Sequence, residues 1–186
     1  LADAAAFAKQ HGLGFHLDGA RLFNAAVAGG VPAREITKHF DSVSVCLSKG
    51  LGAPVGSVLA GSRALVDKAR RWRKVLGGGW RQAGIMAAMA HHALDHHVAR
   101  LADDHRRAGE LADALKSLGL SVDGAFTNIL FVTVPDGRQT ELAKTLEARG
   151  IRIAAGRGAR VRLVTHLDID DAGLERAITG FREFFA

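Results

Sequence analysis

The sequence predicts an α/β fold that passes into a smaller α+β unit. Three observations carry this expectation. Two short apolar strands, Phe15–Asp18 and Ser42–Leu47, are separated by a helical crossover, the connection that parallel strands need. A helical stretch rich in Ala, Leu and His, and free of proline, then runs from about Gln82 to Leu118. The residues after it alternate short β-branched runs with two amphipathic helices, the pattern of three strands and two helices in an α+β unit.

Each element has a local reason. Leu1–Gly12 reads as the last turns of an amphipathic helix, because Leu1, Ala4, Ala5 and Ala8 share a face and Gly12 suits the position past a helix end. No N-cap signal precedes it and no initiator Met is present, so the chain reads as the C-terminal portion of a longer protein. Phe15–Asp18 leads into a helix at Ala20–Ala28, ended by Gly29, Gly30 and Pro32. A short helix at Ala33–His39 precedes Ser42–Leu47, whose apolar, β-branched character predicts burial on both faces. A strand at Gly56–Ala60 and a helix at Arg63–Leu76 follow, and Gly77-Gly-Gly79 then leaves bare backbone. The long helical region is expected to break once near Leu101, with domains at residues 1–100 and 101–186. Strands at Asn128–Val134, Ile151–Ala154 and Val161–Thr165 are expected, with a turn at Pro135-Asp-Gly137 and a helix at Thr140–Arg149. The closing helix runs from Asp171 to Phe185, N-capped by Asp170 or Asp171.

Composition narrows the function. Nearly half of the 186 residues are apolar, enough for a substantial core. The one cysteine, Cys46, lies in an apolar strand, so there is no disulfide framework, which favours a reducing, cytoplasmic setting. No apolar run approaches membrane-spanning length, and no membrane partner is expected. A formal charge of +6 raises nucleic acid as a partner, but the cations are dispersed, and the densest run, Lys68–Lys74, reads as a solvated helix face; no nucleic acid is expected. His92 and His96 share a helix face, yet no Glu or Cys completes a ligand set, so no metal is expected and the histidines read as helix surface or oligomer contact.

Lys49 is the most informative residue. It comes just after the strand Ser42–Leu47 and is followed by Gly50, Gly52, Pro54 and Gly56, a loop with little side-chain bulk. A partly desolvated lysine there suits Schiff-base chemistry, because desolvation disfavours the ammonium form; the bland alternative is a lysine that snorkels out at a strand end. Asp18 falls at the end of the preceding strand, where α/β sheets bind ligands, and its bland alternative is an N-cap for the next helix. Together they put an amine and a carboxylate on one rim of one sheet. A cofactor with a pyridine ring and an aldehyde uses such a pair: the carboxylate holds the ring-nitrogen proton and the lysine forms the imine.

His16-Leu-Asp-Gly-Ala-Arg-Leu-Phe-Asn24 and Ser42–Gly56 resemble signature segments of the low-specificity L-threonine aldolases. Arg70–Gly84 and Val161–Asp168 resemble two further segments of that family in the same order, so the resemblance spans nearly the whole chain. It implies the aspartate-aminotransferase-like fold (fold type I), here the C-terminal part of the large mixed-sheet domain plus a small α+β domain. It also implies pyridoxal 5'-phosphate as cofactor and retro-aldol cleavage of a β-hydroxy-α-amino acid to glycine and an aldehyde. The small-molecule partner is then an amino-acid substrate, and a homodimer or homotetramer with active sites at the subunit boundary is expected.

The resemblance assigns roles residue by residue. Lys49 is the catalytic, cofactor-bearing lysine, and Asp18, Arg21 and Ser48 join it in binding the cofactor. Arg21 stands three residues after Asp18, one helical turn on; its alternative is a surface pair with Asp18, and that of Ser48 is a turn-forming serine. His16, on the same side of its strand as Asp18, lines the cleft or is a core histidine satisfied by backbone. Arg162 grips the substrate carboxylate with its planar fork, with an internal salt bridge as the alternative and His166 as a supporting neighbour. Lys74 and Arg81, flanking the triple glycine, reach an active site at the subunit boundary, while Trp80 stands where the family pattern has methionine. A ring-stacking histidine and much of the phosphate loop belong to the family's preceding half.

Overall fold

The structure, a computed structural model, describes residues 1–156 and 158–185. The chain divides into two compact units, Leu1–Ala99 and Arg100–Ala186.

In the first unit, helix α1 (Ala2–Gln10) leads to strand β1 (His16–Gly19), then helices α2 (Leu22–Ala28) and α3 (Ala33–Thr37). Strand β2 (Ser42–Cys46) follows, then strand β3 (Ser57–Gly61) and helices α4 (Arg63–Val75) and α5 (Gly84–His96). The sheet order is β1-β2-β3, with β1 parallel to β2 and β3 antiparallel to it. α2 and α3 provide the crossover that a parallel pair requires. α4 begins where Ser62 Oγ accepts the Leu65 N–H at 3.3 Å, an N-cap at the position where a serine serves best.

The expectation that β2 is buried on both faces is corrected. Ser42 and Val43 are buried, but Ser44, Val45 and Cys46 are only half-buried. Burial therefore falls along the strand and not by face: both faces are covered at Ser42 and Val43, and both are half-open from Ser44 to Cys46. Register places Val43 and Val45 beside Leu17, Ala60 and Val58, whereas Ser42, Ser44 and Cys46 share a face with His16, Asp18 and Ser57.

The second unit carries the larger apolar core. Helix α6 (Leu101–Ser117) precedes strands β4 (Ser121–Gly124) and β5 (Ile129–Thr133), a 3-10 turn at Pro135–Gly137, and helix α7 (Gln139–Glu147). Strand β6 (Arg160–Val164) and helix α8 (Asp171–Phe185) complete it. The order is β4-β5-β6, antiparallel throughout. Leu111 and Leu115 of α6, Leu130 and Val132 of β5, Leu142 of α7 and Phe181 of α8 are buried in one cluster. Each such side chain stabilises the fold by about 1.5–3 kcal/mol through burial. Gly173 N–H donates to Asp170 Oδ1 at 2.6 Å, so Asp170 caps α8. Arg106 and Arg107 of α6 each hold Asp171 at 2.7 Å, and these hydrogen bonds keep its carboxyl below the usual carboxylate range.

Two strand assignments change. Ile151–Ala154 forms no strand. Ile151 N–H bonds back to Leu146 O at 2.9 Å, closing the end of α7, and Ile151 and Ile153 pack on the core without a ladder. The third strand is instead β4, whose Ser-Val-Asp-Gly sequence has a single strong strand former; its pairing with β5 overrides local propensity.

A buried polar chain underlies β6. Thr165 Oγ1–H donates to the Asp104 carbonyl at 2.6 Å, and Asn128 Nδ2 donates to the Thr165 carbonyl at 2.8 Å. The fully buried Asp104 carboxylate pairs with the mostly buried Arg100 one turn earlier. Removing one member of a buried pair strands the other's charge. Asp104→Ala is therefore expected to lower the unfolding free energy of the full-length protein by about 3 kcal/mol. The apolar replacement Arg100→Met/Asp104→Leu should lose less. Urea denaturation measures both, and equal losses would remove the ion pair as the cause.

Candidate active site

Parallel pairing positions the proposed site. His16 registers with Ser42, Asp18 with Ser44 and Gly19 with Val45, so β1 and β2 end on the same edge. Gly19 permits this closeness: a Cβ there would stand 2.8 Å from the Ser44 carbonyl oxygen and 3.2 Å from Val43 Cγ1. Any larger residue would push β1 away from β2 and carry Asp18 with it.

Asp18 is exposed on this edge, and its Oδ1 accepts the Ala20 N–H at 3.2 Å. That bond turns the chain toward α2 but does not cap the helix, which starts at Leu22 after a non-helical Arg21 (φ −130°, ψ 39°). The expectation of Arg21 one helical turn beyond Asp18 is corrected accordingly: Arg21 stands at the N-cap position, half-buried, at the head of α2.

His16 is exposed on the same face. Its Nδ1 lies 2.8 Å from Ser42 Oγ and its Nε2 3.4 Å from Ser44 Oγ. Serine hydroxyls on the neighbouring strand, and not backbone, engage its ring, because period-two alternation brings all three side chains to one face.

Ser48 and Lys49 follow β2 and are both exposed, so the expected partial desolvation of Lys49 is corrected. The side chain rises from the outer part of a loop whose inner residues, Leu47, Leu51 and Ala53, are buried. Among the described residues no carboxylate forms an ion pair with Lys49 and no group of three His, Cys, Asp or Glu side chains is placed to hold a metal ion. An exposed carboxylate at the end of β1 and an exposed amine in the loop after β2 thus lie at the same end of the parallel pair, and His16, Ser42 and Ser44 lie on the sheet face of Asp18. Such a surface can capture an aldehyde through the amine and hold a cationic ring nitrogen through the carboxylate.

Lys74, in the last turn of α4, and Arg81, on the segment joining α4 to α5, are exposed, and the Lys74 side chain lies over Gly79, where a Cβ would collide with it. Trp72, Leu76, Trp80 and Ile85 are exposed around them. In the second unit, Arg162 is exposed on β6 rather than buried, because it points to the same face as Arg160 while Val161 and Leu163 point into the core. Arg160 pairs with Asp123 at 3.2 Å and stacks 4.2 Å above Phe131, whereas no carboxylate among the described residues pairs with Arg162. Arg162 lines a cleft of about 680 Å³ with Arg152, His166, Asp168 and Arg176. His166 Nδ1 accepts the Asp168 N–H at 3.3 Å, so its partner is Asp168 and not Arg162. Sequence reasoning missed Arg152 and Arg176 because they fall on different elements, one expected as a strand. Among the described residues no helix is long and apolar enough to cross a membrane.

Comparison with known proteins extends this description. The chain is 45% identical over 186 residues to the low specificity L-threonine aldolase of Escherichia coli (strain K12), covering all of this chain and 55% of that protein. It is 46% identical over 184 residues to the Arabidopsis thaliana protein named "Probable low-specificity L-threonine aldolase 2", covering 96% of this chain and 52% of that protein. The chain thus spans about half the length of the curated relatives it matches. A solved structure of Leishmania major threonine aldolase superposes with a TM-score of 0.76 at 21% identity, covering 100% of this chain and 56% of that one. At that identity the likeness speaks for the fold, and the expected aspartate-aminotransferase-like architecture is met. The model of the family described as beta-eliminating lyase matches residues 1–136, the sheet edge of Asp18 and Lys49 included, and the chain belongs to that family.

Proposed function

We propose that this chain contributes the lysine-bearing part of a pyridoxal-phosphate-dependent aldolase that cleaves β-hydroxy-α-amino acids such as L-threonine and L-allo-threonine to glycine and an aldehyde. One observation carries the proposal: Lys49, in the loop after β2, and Asp18, at the end of β1, offer an exposed amine and an exposed carboxylate at the same end of a parallel strand pair. The threonine aldolase names of the similar relatives support the choice of reaction.

The residues fit the cofactor. Lys49 Nζ is the group that would hold its aldehyde carbon, and Asp18 the carboxylate that would hold its ring-nitrogen proton. Asp18 Oδ1 spends one lone pair on Ala20 N–H, leaving Oδ2 for this task. Arg21 and Ser48 flank these two in sequence and complete the proposed cofactor contacts. When bound, the pyridoxal ring supplies the electron sink for breaking the Cα–Cβ bond. Lys49, once the substrate amine displaces it, is the chain's own group for moving a proton at Cα. His16 lines the same face, held by Ser42 and Ser44.

Arg162 is assigned the substrate α-carboxylate, which a guanidinium fork binds in two parallel hydrogen bonds. Its lack of a carboxylate partner among the described residues supports this over an internal salt bridge. Arg162→Ala is expected to raise the KM for threonine by roughly 10- to 100-fold, the worth of hydrogen bonds to a charged group, with a smaller effect on kcat. An unchanged KM would return Arg162 to a structural role. Lys74 and Arg81 are assigned to the boundary between subunits of a homodimer or homotetramer. The exposed Trp72, Leu76, Trp80 and Ile85 beside them are apolar surface that a second subunit would cover. A cytoplasmic setting agrees with the single free Cys46.

The family described as beta-eliminating lyase favours a second reading, elimination or transamination on the same cofactor. Product analysis on the full-length protein separates them. Glycine with an aldehyde supports the aldolase; ammonia with a keto acid overturns it.

A further inference from the structure

The loop carrying Lys49 is held from inside and from outside. Leu47 N–H donates to Gly56 O at 3.0 Å, Ala53 N–H to Leu47 O at 2.9 Å, and Gly52 N–H to Lys49 O at 2.9 Å. The outer hold is His97, 46 residues away, whose Nδ1 lies 2.6 Å from the Leu51 carbonyl oxygen. A carbonyl oxygen only accepts, so Nδ1 carries the proton and the tautomer is set by this contact. His97 is the C-cap residue of α5, half-buried, with its ring edge-on to His92 at 5.4 Å between centroids.

The Leu51 carbonyl and the Gly52 N–H belong to one peptide group, which is planar and rigid. His97 grips its oxygen while the Lys49 carbonyl grips its N–H. A continuous hydrogen-bond chain thus runs from the imidazole through one peptide plane to the backbone of Lys49. The plane has reason to need a clamp. Gly52 sits at φ 72°, and glycine accepts either sign of φ, so without His97 this peptide can flip and release the Lys49 carbonyl.

We propose that His97 is a positioning residue for Lys49: by fixing the Leu51–Gly52 peptide it fixes the loop from which the lysine reaches the cofactor. The proposal rests on the pyridoxal-phosphate reading above. It acts before turnover, on how Lys49 is presented.

The test uses the full-length protein with pyridoxal phosphate itself as probe. Borohydride reduction followed by peptide mass measurement reports how fast and how fully Lys49 is labelled, and an absorbance titration gives the affinity. His97→Phe keeps a ring beside His92 but removes the donor. It is expected to weaken cofactor affinity and slow labelling by about fivefold, the scale of one hydrogen bond. His97→Asn places an amide N–H near the Nδ1 position and should restore both to within about twofold. Should His97→Phe fail to fold by circular dichroism, His97→Gln, whose longer side chain displaces the donor, carries the same expectation as the phenylalanine variant. Labelling and affinity equal to the unsubstituted protein in the donorless variant overturn the proposal, as does an asparagine variant no better than phenylalanine. Absence of any label at Lys49 in the unsubstituted protein instead overturns the pyridoxal-phosphate reading, and this proposal with it.

Discussion

Lys49→Ala in the full-length protein is expected to abolish borohydride-dependent labelling by pyridoxal phosphate and to cut threonine cleavage by roughly 10³-fold or more. Two proposed roles would vanish together, the covalent hold on the cofactor and the amine that moves a proton. The fold should be indifferent. Lys49 is exposed and forms no ion pair among the described residues, so the change in unfolding free energy should stay within about 0.5 kcal/mol. That combination, chemistry lost and stability kept, distinguishes an active-site lysine from one that packs. Turnover near the unsubstituted level, or a label that moves to another lysine, would end the assignment.

Asp18→Asn isolates a charge from a shape. Asparagine keeps an oxygen to accept the Ala20 N–H, now at 3.2 Å from Asp18 Oδ1, so the turn into α2 should survive. What disappears is the negative charge that is proposed to face the ring nitrogen. Fixed electrostatic partners of this kind are worth roughly 10²- to 10³-fold, and a loss of about 10²-fold in kcat with little change in melting temperature is expected. Asp18→Ala should add a stability loss by releasing the Ala20 N–H as well. If Asp18→Asn turns over normally, the residue is a turn former and no more. The contrast between the two variants matters because the carboxylate serves the backbone with one oxygen and is proposed to serve chemistry with the other.

Much of the layout was legible from one dimension. The helix at α4, the closing helix α8 and the interruption between α5 and α6 were all anticipated, because helical periodicity and capping residues act over a few positions. The parallel pairing of β1 with β2 was equally anticipated, since a crossover helix between two short strands leaves few alternatives. β4 and the loop at Ile151–Ala154 were not. A Ser-Val-Asp-Gly strand exists through its partner β5, and an Ile-Arg-Ile alternation can bury its isoleucines without any strand beside it.

For the candidate site the division is sharper. The residue types came from sequence: a lysine before a glycine-rich loop, an aspartate at a strand end, and motif segments in the family's order. Their exposure did not, because exposure is set by what folds over a side chain and not by its neighbours in the chain. The bridging of His16 between two serines and the pairing of Asp123 with Arg160 are cross-strand facts.

By itself, then, the sequence determined the candidate side chains and the strand ends that carry them, since strand ends, turns and crossovers are local or near-local matters. Only the tertiary structure decided how they are held. The hydrogen bond from His97 to the Leu51 carbonyl spans 46 residues and depends on where α5 ends relative to the Lys49 loop. No periodicity encodes such a meeting; it arises when two separately folded elements pack, and it leaves one peptide plane, two residues beyond Lys49, gripped on both sides.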